Sequence, residues 1–340
     1  MAGPTRRAGH GDGVAGAAKD AATATAAAVL AAAQGDADGA KAAAHVAATD
    51  AARGLEEWQR KWYAHVYRKT LVWVALFLAL VGYAVTEVED PHVPPFDPSE
   101  AWRVWLTLCG ALLAWSTLFF DIYFGTPPAK GDPKEILMGK NFNGKFSYFT
   151  FYIIFSFTVY WTSCLVAEVA WLWGYAHYQE VVWARKLLKF TYAGAPLISA
   201  LGVMLTLLFL KFNWFEPSWQ REVLGRYHQR GQVWFGPTML FTHLNQTPIS
   251  LLDVAFIKNR KFAEAHRPEF IVFAAILVAF TVFFVVSTHL NFSLTKHYPY
   301  PIFSKFLGTT WKAELTFIGT QTLVTILMTA AMVWVSRIQV

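Results

Sequence analysis

Between Thr238 and Asp253 the chain places Thr242, His243, Gln246, Thr247, Ser250 and Asp253 among residues compatible with hydrocarbon. His243, Gln246, Thr247 and Ser250 fall at i, i+3, i+4 and i+7. A helix would carry them as one polar stripe, which must face a bundle interior or a wet cavity rather than lipid. An ionisable side chain inside a membrane is a functional candidate by default, and a hydrogen bond between helices accounts for His243 equally well. What would give it chemistry is a second residue, and Thr150 is the candidate. A hydroxyl is a weak nucleophile until a neighbouring base takes its proton, so a Thr and a His at hydrogen-bond distance form the smallest acyl-transfer pair. Taken alone, Thr150 is better explained by a bond to the carbonyl four residues back, as most Thr residues in membrane helices are.

Depth is what brings the two together. Thr150 lies five residues past Lys145, or ~7 Å at the helical rise, and His243 six residues past Pro237, or ~9 Å. Their helices are the third and fifth spans counted along the chain, so both enter from the same side of the membrane. His289 at the end of the sixth span and Asp121 at the end of the second return to that side. Asp253 lies ten residues beyond His243, ~15 Å deeper, which excludes it as a hydrogen-bond partner. The chain carries no G-x-S-x-G elbow, no H-E-x-x-H and no P-loop lysine, which removes the common hydrolase, zinc-protease and nucleotide readings. No cofactor or metal is called for, and no nucleic-acid-binding motif is present.

The elements that must hold these residues are transmembrane helices. Hydrophobic residues make up 55% of the chain, with 15 Trp, 28 Phe and a mean hydropathy of +0.33. Seven stretches approach the ~20 apolar residues that a spanning helix needs: roughly 71–87, 102–124, 147–172, 188–212, 237–257, 269–289 and 314–336. The net charge of +6 resides mainly in loops, where it is a topology signal rather than a nucleic-acid surface. Arg53, Arg60, Lys61, Arg68 and Lys69 precede the first span, and the following loop carries Glu87, Glu89, Asp90, Asp97 and Glu100 with no Lys or Arg. That asymmetry sets the N-terminal tail on the cytoplasmic side; Lys258, Arg260, Lys261 and Arg267 argue against it. Cys109 and Cys164 both fall inside spans and offer neither a disulfide framework nor a zinc site.

Residues 1–50 form an Ala-rich, low-complexity arm without an apolar stripe, expected to be mobile or weakly helical, a tail rather than a transit peptide. Residues 51–70 interleave aromatic and basic side chains, which suits a helix at the headgroup boundary. Residues 71–100 hold the first span and a proline-rich loop, Asp90–Pro98, that can be neither helix nor central strand. Residues 101–340 form the six-helix membrane domain, so the fold class is an all-α polytopic membrane helix bundle: six core helices and one additional N-terminal helix.

At the candidate residues the chain resembles the androgen-induced protein family, multispanning threonine hydrolases that cleave fatty acid esters of hydroxy fatty acids. Gly144–Phe151 is similar to that family's aromatic run ending in Thr-Phe. His243-Leu-Asn-Gln-Thr-Pro248-Ile-Ser-Leu-Leu-Asp253 is similar to its His segment, with Pro five and an acid ten residues after the His. Pro196 and Tyr300-Pro301-Ile302-Phe303 are weaker matches, and together they cover residues 102–338. The chain departs from the pattern in having Asp253 where Glu is usual, Tyr298 where Trp is usual, and a gap after His289. The resemblance implies Thr150 as nucleophile and His243 as its partner. Gln246, Thr247, His289 and Tyr300 are expected substrate contacts, with membrane lipids and an acyl-ester lipid as partners. The setting implied is an integral, multi-pass protein of the endoplasmic reticulum or plasma membrane rather than the mitochondrion. The alternative is a non-catalytic lipid-binding or structural subunit of a membrane complex.

Overall fold

The computed structural model of the chain describes residues 37–94, 96–123, 148–173, 181–217, 219–229, 233–296, 298 and 310–337. Among these it is 89% helical, with no strand. The chain divides into two units, residues 1–69 with 127–139 and residues 70–126 with 140–340.

In the first unit the described backbone is helix from Ala37 onward, part of α1 (Ala37–Glu87). The last residues of the Ala-rich arm are therefore helical, because alanine has the highest intrinsic helix propensity and no glycine or proline interrupts 41–53. Residues 1–36 lie outside the described part.

The second unit is the membrane domain. It contains the last part of α1, then α2 (Ala101–Tyr123), α3 (Phe149–Trp173) and α4 (Val182–Phe209, continued by a π-helical turn Leu210–Trp214). A π-helical segment Trp219–Leu224 leads into α5 (Gly225–Gln229). After α6 (Phe235–Leu244), α7 (Gln246–Leu252) runs into a second π turn, Asp253–Ile257. The chain closes with α8 (Arg260–His266), α9 (Phe270–Thr295) and α10 (Trp311–Val335).

Six helices are long and apolar enough to cross a membrane: Ala64–Glu87, Ala101–Ile122, Phe149–Leu172, Val182–Trp214, Phe270–Thr295 and Trp311–Val335. The seventh expected stretch, 237–257, is helical but divided at Asn245 into two short helices. Pro248 supplies the reason: without an N–H it cannot bond the Leu244 carbonyl, so the ladder breaks there and α7 starts afresh with the proline in its first turn. His289 lies inside α9, which continues six residues beyond it to Thr295.

Burial separates the central helices from the outer ones. Of the most apolar window in each helix, 56% is buried in α3 and in α4, against 17% in α9 and α10 and 6% in α1. α9 has the highest mean hydropathy, 2.9, and yet is among the least buried, so its apolar surface is there for lipid. α3 and α4 pack along each other, α2 along α3, and α7 and α10 along α4.

Two glycines let large rings into these seams. A Cβ on Gly110 of α2 would fall 2.3 Å from the Trp161 ring of α3, and one on Gly202 of α4 would fall 2.9 Å from Phe157 and 2.8 Å from Ser250 Oγ. Gly→Ala normally favours a helix by about 0.5–1 kcal/mol. At Gly110 the overpacking should outweigh that gain and destabilise by about 1–3 kcal/mol, whereas at Gly82, which has nothing within 4 Å, the helix gain should stand. Unfolding of the two variants in mixed micelles checks the opposite signs.

The proline-rich loop is held down by the central helices. Val93 is buried, Trp171 Nε1 donates to the Pro94 carbonyl at 3.0 Å, and the Phe96 and Trp171 rings meet edge to face at 5.2 Å. Arg185 of α4, 8% exposed, forms a forked ion pair with Asp90, its Nε donating to Oδ1 at 2.8 Å. The guanidinium holds the Asp90 carboxyl below the ordinary carboxylate range. A depressed native value means the pair stabilises fully above the ordinary Asp pKa of ~3.9 and loses its contribution as pH falls through the native value. Breaking one side of a buried pair costs about 3–5 kcal/mol; with Asp90 itself 41% exposed, Asp90→Asn should cost about 1–2 kcal/mol at neutral pH. The difference from wild type should vanish on strong acidification, read as converging melting curves.

Candidate functional site

Three helices converge at Gly202. Its missing side chain admits Phe157 of α3 from one side and Ser250 and Gln246 of α7 from the other, the Gln246 Cβ lying 3.3 Å from where a glycine Cβ would stand. From this junction one helical face can be followed in each direction, because residues seven apart return to nearly the same face.

Toward one end, Phe157 leads seven residues back to Thr150, Gly202 seven residues on to Phe209, and Ser250 seven residues back to His243. Each step is ~10 Å along a regular helix, so the count sets Thr150 at the level of Phe209 and His243, a pair that the structure brings into contact. His243 is 5% exposed, and its ring stacks on Phe209 with centroids 4.1 Å apart and planes 20° from parallel. Its Nδ1 is 2.8 Å from the Met239 carbonyl, one turn back, and 3.1 Å from Thr242 Oγ1. A carbonyl only accepts, so Nδ1 carries the proton and the lone pair lies on Nε2. Thr206 of α4 donates to the His243 carbonyl at 2.5 Å and ties α6 to α4. The Phe120 and Phe241 rings, 5.2 Å apart, bring the end of α2 beside α6.

Thr150 is half-buried in the first turn of α3 and is not among the groups that His243 contacts. Counting along the helices alone sets Thr150 toward the His243 end, and no direct hydrogen bond joins them. Gln246 is buried between α3 and α4, with Nε2 donating to Asn245 Oδ1 at 3.0 Å; its Oε1 and the Thr247 hydroxyl, also shut away from solvent, have no hydrogen-bond partner. Asn245 in turn donates to Thr117 of α2. His289 has Nε2 3.4 Å from Glu314 of α10, and its side chain is 37% exposed. Tyr300 and residues 144–147 of the aromatic run lie outside the described residues.

Toward the other end the same face becomes charged. Tyr160, Cys164 and Glu168 of α3, Tyr192 of α4, and Asp253 and Lys258 at the two ends of the π turn gather in the interior. The π turn closes when the Lys258 N–H donates to the Asp253 carbonyl at 3.2 Å, five residues back, which sets both side chains on one side. Lys258 Nζ is 3.5 Å from Glu168 Oε1, 3.5 Å from Asp253 Oδ1 and 3.2 Å from Cys164 Sγ. It also lies over the Tyr192 ring at 4.8 Å. Tyr160 donates to Asp253 Oδ2 and Thr107 of α2 to Glu168 Oε2, each at 2.5 Å.

Sequence reasoning set Asp253 aside as a partner of His243 and took Lys258 for a loop charge; it did not weigh Glu168 at all. Glu168 is the only charged residue in 149–173, and that was the available signal, since an unpaired charge in a buried helix demands a counter-ion from another helix. Compared with family models, with curated proteins and with solved structures, the chain matches none.

Proposed function

We propose that the chain is an intramembrane hydrolase of lipid esters, with Thr150 as nucleophile and His243 as general base. The observation that carries this reading is the state of His243: buried, stacked on Phe209, with Nδ1 donating to Met239 and the basic Nε2 left to accept a proton. Thr150 at the same level supplies the hydroxyl. Its proton passes to Nε2 as Oγ1 attacks the ester carbonyl; the alcohol leaves with that proton, and water then releases the acid from the acyl-threonine. The substrate or a water would join the two side chains in the reacting complex, since catalytic hydrogen bonds are often long in the free enzyme.

A site among membrane helices selects apolar acyl chains that enter from the bilayer. Fatty acid esters of hydroxy fatty acids, the substrate class of the family resembled, fit that requirement, and an endomembrane or plasma-membrane setting goes with them. Gln246 Oε1 and the Thr247 hydroxyl, buried without a partner, are polar atoms that a bound ester or water would satisfy. One observation favours a second reading, a non-catalytic lipid-binding or structural subunit. The stacking of His243 on Phe209 and its bond to Met239 would serve packing alone just as well.

Hydrolysis of acyl-ester lipids by the full chain in nanodiscs separates the two. Thr150→Ala and His243→Ala should each lower turnover by about a thousandfold or more, and the double variant should be no worse than either, because nucleophile and base act as one unit. Thr150→Ser should keep measurable activity, and Thr150→Ala should cost only on the order of 1 kcal/mol of stability. Full turnover in both Ala variants, or none in the wild type on any ester, would leave the subunit reading.

A further inference from the structure

The charged end of the polar face is ten residues from His243, ~15 Å along the helix, and ester hydrolysis makes no use of it. We propose that Glu168, Lys258 and Asp253 form a proton-binding site, in which the two carboxylates share one ammonium and hold one exchangeable proton between them.

Charge balance is the starting point. Glu168, Asp253 and Lys258 are 3%, 1% and 3% exposed. With all three ionised the group would carry one uncompensated negative charge in a medium that solvates it poorly, the costliest arrangement open to it. The neighbouring groups do not supply the missing positive charge. From α2, Arg103 is paired with Glu100 at 3.2 Å, and Thr107 is neutral. From α3 come Tyr160, which donates to Asp253, and Cys164, which accepts from Lys258; from α4 comes Tyr192, which accepts from the Asn259 N–H; none is a cation. Asn259, next to Lys258, is neutral and donates from Nδ2 to both Glu100 oxygens at 3.3 Å. One added proton brings the group to neutrality.

The geometry of the carboxylates is the second, independent observation. Each acid has one oxygen occupied by a hydroxyl at 2.5 Å, Tyr160 on Asp253 Oδ2 and Thr107 on Glu168 Oε2. The other oxygen of each, Asp253 Oδ1 and Glu168 Oε1, is buried without a hydrogen bond and faces Lys258 at 3.5 Å, well beyond the ~2.8 Å of a charge-assisted bond. One ammonium is thus spread over two acceptors, and a proton on either carboxyl would remove the excess negative charge. Binding turns one carboxylate into a carboxylic acid and takes one proton from solution; release returns it. Beside the group, the Asn259 N–H donates to the Tyr192 hydroxyl at 3.3 Å and the Asn259 amide reaches the partly exposed Glu100–Arg103 pair.

Infrared difference spectroscopy of the full chain in nanodiscs at neutral pH, with hydrogen–deuterium exchange to mark carboxylic acids, tests this directly. The wild type should show the carbonyl band of one protonated carboxyl from this group. Glu168→Gln and Asp253→Asn each leave one acid facing one ammonium, so both should lose that band. Lys258→Met leaves two acids without a cation and should double it. A wild type without the band, or a band that persists in either single amide variant, would overturn the proposal. The two amide substitutions are close to isosteric and settle the matter even if Lys258→Met does not fold. Thr150 and His243 are untouched in all three variants, so failure here and failure of the hydrolase reading are separately visible.

Discussion

The close approach of α3, α4 and α7 at Gly202 is the contact on which the interior depends. A bilayer offers no water to polar atoms, so a helix bearing His243, Gln246, Ser250 and Asp253 can exist at membrane depth only if its polar face meets partners on other helices. Gly202 makes that possible by letting Phe157 and Ser250 come within van der Waals range of one backbone. Everything polar in the membrane domain follows from the register set there: His243 over Phe209 at one end, Asp253 beside Lys258 and Glu168 at the other.

That register also explains why 235–257 is not one uninterrupted helix. Pro248 breaks the ladder behind Asn245, whose amide turns to Thr117 of α2, and the π turn at Asp253–Ile257 re-aims the next acid toward Lys258. A regular helix would carry Asp253 and Lys258 about 140° apart at the ~100° turn per residue of an α-helix; the wider turn brings them to one side. The two irregularities have the same effect, directing polar side chains inward where unbroken apolar helices such as α9 face outward.

Helices were legible in the sequence because length and apolar content determine them, and the polar stripe was legible because its spacing is helical. A common level for Thr150 and His243 could be counted from Lys145 and Pro237, whereas the contact that the structure shows is His243 on Phe209. Three things were not legible. The break at Asn245 depends on a missing N–H at Pro248 within a run whose hydropathy still looks continuous. The continuity of one helix from Ala37 into the first span follows from alanine propensity, which a search for an apolar stripe signals only weakly. The Glu168–Lys258–Asp253 group joins α3 to the far end of the second π turn, a pairing across 90 residues that no local pattern encodes.

The most direct measurement of the catalytic reading is covalent labelling of the full chain in nanodiscs with a fluorophosphonate probe, followed by mapping of the adduct by mass spectrometry. A single adduct on Thr150, abolished by His243→Ala while the protein stays folded, is the expected result. Absence of labelling, or an adduct on any residue other than Thr150, would contradict it.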